Sequence, residues 1–208
     1  MAGQLRALLR GAGACDAPSG EALWSRKGLK WLGAVGLCEA DALRRDLLLE
    51  ELAQADERVR RVTAELDRRA DAHPGVALLR TVPGVGPRTA EAFVAYVDDV
   101  RRFARNKQVG CYLGLVPCQD SSAGKDRLGH ITGDGPAAVR MLLCEAAWQA
   151  VRRSPSMKSF FERVTHGEPG RRKIALVAAA HKLARSMAAM LRTGEAWRED
   201  EQEQEPVA

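Results

Sequence analysis

Two stretches of this 208-residue chain combine residue types that can act on a phosphate group. The first runs Leu78-Leu79-Arg80-Thr81-Val82-Pro83-Gly84-Val85-Gly86-Pro87-Arg88-Thr89-Ala90, with two glycines between apolar, helix-forming neighbours. Gly84 and Gly86 permit a sharp turn and remove side chains that would block close approach. Val85, between them, is placed to anchor the turn in a core. The amides at Gly86 and at the start of the next helix then face outward, where the helix dipole adds partial positive charge. Arg80, Arg88 and Thr89 flank this point. A phosphate fits such a site without any base being read. The bland alternative is a tight helix–helix turn that merely needs two glycines.

The second stretch is Cys118-Gln119-Asp120-Ser121-Ser122-Ala123-Gly124-Lys125, with Arg127 just beyond. A serine hydroxyl is a weak nucleophile until a base or a metal activates it. Attack on phosphorus also needs strong charge stabilisation from cations or metals. Lys125, Arg127 and Arg140 are near in sequence and can supply the cations, and Asp120 or His130 the base. On residue types alone, paired serines in a glycine-containing loop are ordinary loop chemistry.

Both stretches need elements to hold them. Residues 1–38 are punctuated by Gly11, Gly13, Pro18, Gly20, Gly28, Gly33 and Gly36 and read as irregular, with one short helix. From Glu39 to Ala72 there is neither Gly nor Pro. Leu48, Leu52, Ala55, Val59, Val62 and Leu66 step by alternate fours and threes, a heptad seam flanked by Arg and Glu. Such a stripe must pack against another helix, from its own chain or from a second copy in a coiled coil. His73-Pro74-Gly75 ends it. Residues 76–115 read as short helices around the glycine turn, and 116–135 as a loop with a small hairpin across Arg127–Thr132. Helices follow over Ala137–Arg153, about Ser156–Thr165, and about Arg171–Arg192, the last stopping at Gly194. The expected fold is therefore mainly α: a coiled-coil-like helix over 39–73, a compact helical domain over 76–194, and an acidic, disordered tail over 195–208.

Charge follows the same division. The chain is +5 overall, but the tail carries six acids against Arg198 alone, so the rest carries +10. A basic body suits a polyanionic partner, although basicity alone is weak evidence. The five cysteines are scattered and lack zinc spacing, so reduced thiols in a cytoplasmic protein are expected. No apolar run approaches the roughly 20 residues of a membrane helix, and no membrane contact is expected. Asp98-Asp99 reads as a solvated helix end rather than a metal pair. His181 reads as a half-buried packing residue, and Trp148 and Trp197 as core or docking aromatics. Arg171-Arg172-Lys173 fits a phosphate site or a solvated face equally.

The glycine turn resembles the helix-hairpin-helix motif of DNA-repair and recombination proteins over some 17 residues. Further motifs follow in order: Arg102-Phe103-Ala104-Arg105, Tyr112-Leu113-Gly114-Leu115-Val116-Pro117, Ser121-Ser122-Ala123-Gly124-Lys125, Gly129-His130-Ile131-Thr132 and Val139-Arg140-Met141-Leu142-Leu143. Taken together they are similar to the C-terminal domain of Piv-type insertion-sequence transposases, the "DEDD" recombinases of the insertion-sequence one-ten group, over about Val76–Trp197. The resemblance implies a recombinase in two parts. One looks like a RuvC-type nuclease with four acids binding divalent metal, magnesium. The other supplies a serine nucleophile, here Ser121 or Ser122, that links covalently to DNA. It implies DNA as partner, a guide RNA transcribed from the element, and a homo-oligomer joined through the 39–73 helix. About 75 residues precede the similarity, too few for the nuclease-like part, so this chain is expected to hold no cofactor and to be a truncated or split transposase. Gly133-Asp134 also stands where the family carries a basic pair. The alternative is a non-catalytic DNA-binding or dimerisation fragment.

Overall fold

The computed structural model describes residues 2–14, 16–119 and 128–199. Ser121, Ser122, Lys125 and Arg127, and most of the acidic tail, lie outside the described residues. The chain divides into two compact units, residues 1–66 and 67–208.

The first unit is helical. Helix α1 (Ala2–Gly11), a 3-10 turn (Gly20–Trp24) and α2 (Arg26–Ala34) occupy the glycine-punctuated opening, where one short helix was expected. Leu5, Leu9, Leu23, Leu32 and Leu48 bury together, so these few apolar side chains suffice to order the segment. Ser25 starts α2 by accepting a hydrogen bond from the Gly28 amide. Arg45, itself buried, donates to the Val35 carbonyl at the α2 end and bonds Asp46. Helix α3 (Glu39–Asp71) is continuous for 33 residues, about 50 Å, as the absence of Gly and Pro predicts. Its apolar seam starts at buried Leu48, but Val59, Val62 and Leu66 are exposed, as are Leu43 and Leu47.

The second unit is built on α9 (Arg172–Thr193), which packs against α4 (Pro74–Leu79), α6 (Asn106–Tyr112), α7 (Ala137–Arg153) and α8 (Pro155–Thr165). Small residues at helical spacing, Ala175, Ala179, Ala180, Ala184 and Ala188, let these helices approach, and Leu183 and Met187 fill the space between them. By length and composition, the stretch Pro169–Thr193 is long and apolar enough to cross a membrane, which corrects the expectation that no such segment exists. Here its apolar face is the core of the unit. Gly194, in the left-handed conformation, ends the helix as expected. Helix α5 (Pro87–Val97) packs on α4 and α7, burying Ala90, Phe93 and Val97.

Between α6 and α7 the chain forms a two-stranded antiparallel ladder, β1 (Pro117–Gln119) with β2 (Leu128–Ile131), Pro117 opposite Ile131. This corrects the hairpin expected across Arg127–Thr132: residues 128–131 pair backward with 117–119, not with each other. The strand was hidden because Pro117-Cys118-Gln119 is too short to show an alternating pattern. The start of the acidic segment is pinned to the domain. The Trp197 amide donates to Thr81 Oγ1 at 3.1 Å, and Glu199 accepts from both Ser154 Oγ and Ser156 Oγ at 2.8 Å. Burial pushes the Glu199 carboxyl up, but the bonds from Ser156, Ser154 and Trp197 outweigh it and hold the group below its ordinary range.

Candidate nucleic-acid interface

Helix α4 ends at Leu79, four residues before Pro83, so the turn into α5 is longer than the proline suggests. Val82 and Val85 point inward and are buried, and single backbone bonds, Val82 to Leu79 and Val85 to Val82, shape the bend. The two glycines of the bend do different work. Gly84 has φ +91 and lies against α7. A Cβ there would stand 2.5 Å from the Ala150 nitrogen and 2.7 Å from the Ala146 oxygen. It is a packing glycine: backbone meets backbone at Ala146, Gln149 and Ala150 of α7. Gly86 has φ −84 and ψ 172, which any residue adopts, and a Cβ there would meet nothing within 4 Å. It caps α5 without a side-chain hydrogen bond, and Pro87 follows at the first helical position. The α5 N-terminus is therefore capped by bare backbone in open space, where a serine or aspartate would ordinarily stabilise a helix.

This terminus opens onto a depression of about 530 Å³ whose far wall is α7. Gly86, Arg88 and Thr89 line one side, and Glu145, Trp148 and Gln149 the other. Trp148 continues the surface into an apolar hollow with Cys144, Leu176, Arg172 and Lys173. The Arg152 and Arg172 guanidiniums lie 5.1 and 5.5 Å from the Trp148 ring centre, and Phe161 meets the ring edge-on at 6.0 Å. Trp148 thus packs on Phe161 while holding two cations beside the depression. Nothing local in the sequence marks Trp148 and Gln149 as neighbours of Gly86; the repeated alanines at 146, 147 and 150 were the only sign that something packs closely there.

The predicted cations are not equivalent. Arg88 bridges Asp67 at 2.5 Å and Glu91 at 2.6 Å. The bond to Glu91 raises its pKa against the opposing effect of burial, with the Glu91 and Asp67 charges adding to the rise. Arg80 sits at the end of α4, 3.8 Å from Asp71 and half exposed. Arg140 Nη1 donates to the carbonyls of Asp134 at 2.8 Å and Gly135 at 3.0 Å, with Leu113 at 3.4 Å. Gly114 and Gly135 both have positive φ, and a Cβ on Gly114 would run into the Asp134 backbone. The Tyr-Leu-Gly-Leu motif and the 132–135 turn therefore interlock, and Arg140 clamps them. This lock fixes the base of the ladder that leads to residues 120–127. Thr89 is buried, and Val85 serves the core. His130 is exposed on β2.

Asp98 and Asp99 act as helix ends: Asp98 terminates α5 with φ 54, and Asp99 accepts from the Arg101 amide at 2.8 Å. Among the described residues no three or more His, Cys, Asp or Glu side chains come together to hold a metal ion.

The sequence model of the IS116/IS110/IS902 transposase family matches residues 76–162, from α4 into α8. The chain is 33% identical over 146 residues to the "Probable family 20 transposase" of Pseudomonas aeruginosa, covering 69% of this chain and 43% of that protein. It is 32% identical over 168 residues to the transposase for insertion sequence element IS1111A of Coxiella burnetii, covering 79% and 46%. An uncharacterised protein of insertion element IS110 in Streptomyces coelicolor is 26% identical over 152 residues, covering 71% and 36%. The chain spans less than half the length of these relatives.

Proposed function

The chain belongs, through residues 76–162, to the IS116/IS110/IS902 family of transposases, and from that premise we propose that it handles DNA for an insertion sequence by gripping phosphate at the α5 N-terminus. The observation that carries this reading is Gly86: fold and backbone conformation place no demand for glycine there, yet bare backbone caps an open helix end beside a tryptophan–arginine wall. Peptide N–H groups in the first turn of α5 donate to a phosphate oxygen, and the helix dipole adds attraction. Arg152, Arg172 and Lys173 extend the positive surface along the strand, contributing affinity without reading sequence. Arg88 contributes by holding α5 against Asp67 as well as by its charge.

The catalytic reading assigns the nucleophile to Ser121 or Ser122. In it the serine proton passes to a base as the hydroxyl oxygen attacks phosphorus, a Ser–O–P bond forms, the bond to one deoxyribose oxygen breaks, and that oxygen takes up a proton as it leaves. Lys125 and Arg127 neutralise the developing charge, with acids and divalent metal coming from a nuclease-like part, and a guide RNA choosing the DNA. Support comes from family membership and from the lock of Gly114, Gly135 and Arg140 at the ladder base. The exposed α3 seam supports pairing with a second copy.

A duplex-binding titration followed by fluorescence anisotropy tests the grip. Gly86→Asp puts a carboxylate over the α5 terminus at a position with room for it. It is expected to leave the melting temperature unchanged or slightly raised, while weakening DNA binding about tenfold or more, or 1.4 kcal/mol. Unaltered affinity for duplex DNA would falsify the reading.

A further inference from the structure

A second cleft, of about 460 Å³, opens on the opposite side of α9, between α6 and α8. Its α9 wall carries His181, Lys182 and Arg185, Arg163 comes from α8, Asn106 from α6, and Phe160 forms the apolar edge. His181 and Lys182 lie four and three residues before Arg185, so each neighbours Arg185 on the helix surface. Arg163 and Lys182 lie 5.5 and 5.2 Å from the Phe160 ring centre, so one aromatic orients two cations. Among the described residues, no carboxylate lines the cleft. Arg163 and Arg185 bring fixed positive charge to the cleft from two different helices, an arrangement that suits an anion. The His181 pKa is lowered by burial first and then by the Arg185 charge, against a hydrogen bond to the Lys107 backbone. Two buried polar atoms of the lining, Asn106 Oδ1 and His181 Nε2, have no hydrogen-bond partner. A half-turn about its terminal bond makes the Asn106 amide a donor, whereas the His181 Nε2 edge packs against Gly110.

We infer that this cleft is a phosphate-binding site, distinct from the α5 terminus, that takes a phosphodiester of a bound nucleic-acid strand. The shape favours a strand over a small free anion: the cleft is wider than one phosphate, and its Phe160 edge offers a face to a neighbouring sugar or base. The inference stands on the cleft's own charge and geometry, so it does not require the α5 grip to be right.

The test uses the full chain. The Arg163→Ala/Arg185→Ala pair and the charge-preserving Arg163→Lys/Arg185→Lys pair are titrated with labelled single-stranded and duplex DNA across a salt series. The alanine pair is expected to lose about tenfold in affinity and to flatten the slope of log Kd against log salt by about one to two units, with unchanged or higher melting temperature; the lysine pair keeps the wild-type slope. Inorganic phosphate, followed by the His181 ring resonances, gives a second arm: it shifts them in the native chain and not in the alanine pair. Unchanged affinity and slope in the alanine pair overturn the inference, whatever Gly86→Asp does. Phosphate-induced shifts with undiminished DNA affinity overturn the strand assignment, leaving a site for free phosphate. Loss in the alanine pair alongside full binding by Gly86→Asp would sustain this site and remove the α5 reading.

Discussion

At the scale of single residues, the two glycines of the Pro-Gly-Val-Gly turn separate fold from function. Gly84 has a left-handed φ and α7 backbone within 2.7 Å of where a Cβ would go, so any side chain forces α5 and α7 apart. Gly84→Ala is expected to cost roughly 2–4 kcal/mol, combining conformational strain with overpacking, measured as a lower urea midpoint. Loss of DNA binding in that variant would say little about phosphate contact, which is why Gly86 is the informative position. His181 yields a second expectation. Its folded pKa lies below the ordinary 6.5, so the unfolded chain takes up the proton first. The stability held by the neutral ring is complete above 6.5 and is lost as pH falls through that value toward the folded one. Urea midpoints at pH 7.5 and 5.5 should therefore differ more in the native chain than in His181→Gln; equal losses in both would show that another group titrates.

At the scale of elements, the β1–β2 ladder hangs from a small lock. Arg140 reaches back from the first turn of α7 to the Asp134 and Gly135 carbonyls, and Gly114 accepts the 132–135 turn at backbone distance. In the sequence Arg140 looks like a spare cation for a phosphate; its Nη1 is instead committed to carbonyl groups. Arg140→Ala should leave α7 and α9 intact and free the ladder, read by hydrogen exchange as faster amide exchange at Thr132, which bonds the Val116 carbonyl. Exchange at Thr132 as slow as in the native chain would remove the clamp role. The long helix α3 was legible end to end, because an uninterrupted heptad pattern with no breaker is a purely local signal. The ladder was not, since a three-residue strand is defined only by the partner it meets.

At the scale of the whole molecule, the open question of association falls on α3. Val59, Val62 and Leu66 are 64%, 61% and 40% exposed, a spacing of three and four that a second helix would cover. Val59→Glu with Val62→Glu is expected to shift the chain from dimer to monomer in light scattering after size exclusion, with its helix content retained. A native chain that is already monomeric at tens of micromolar would refute pairing through this seam. Sequence alone determined the helical class, the limits of α3 and α7, the stop of α9 at Gly194, and the family motifs, because periodicity, capping and breakers act between near neighbours in the chain. Only the tertiary structure decided that Gly84 is buried against α7 while Gly86 stands bare, that Arg88 and Arg140 have partners within the chain, that Trp148 faces the α5 terminus, and that Arg163 joins Arg185 across two helices. Those outcomes depend on which faces meet over long sequence separations, and a local pattern carries no information about the residue that arrives from elsewhere.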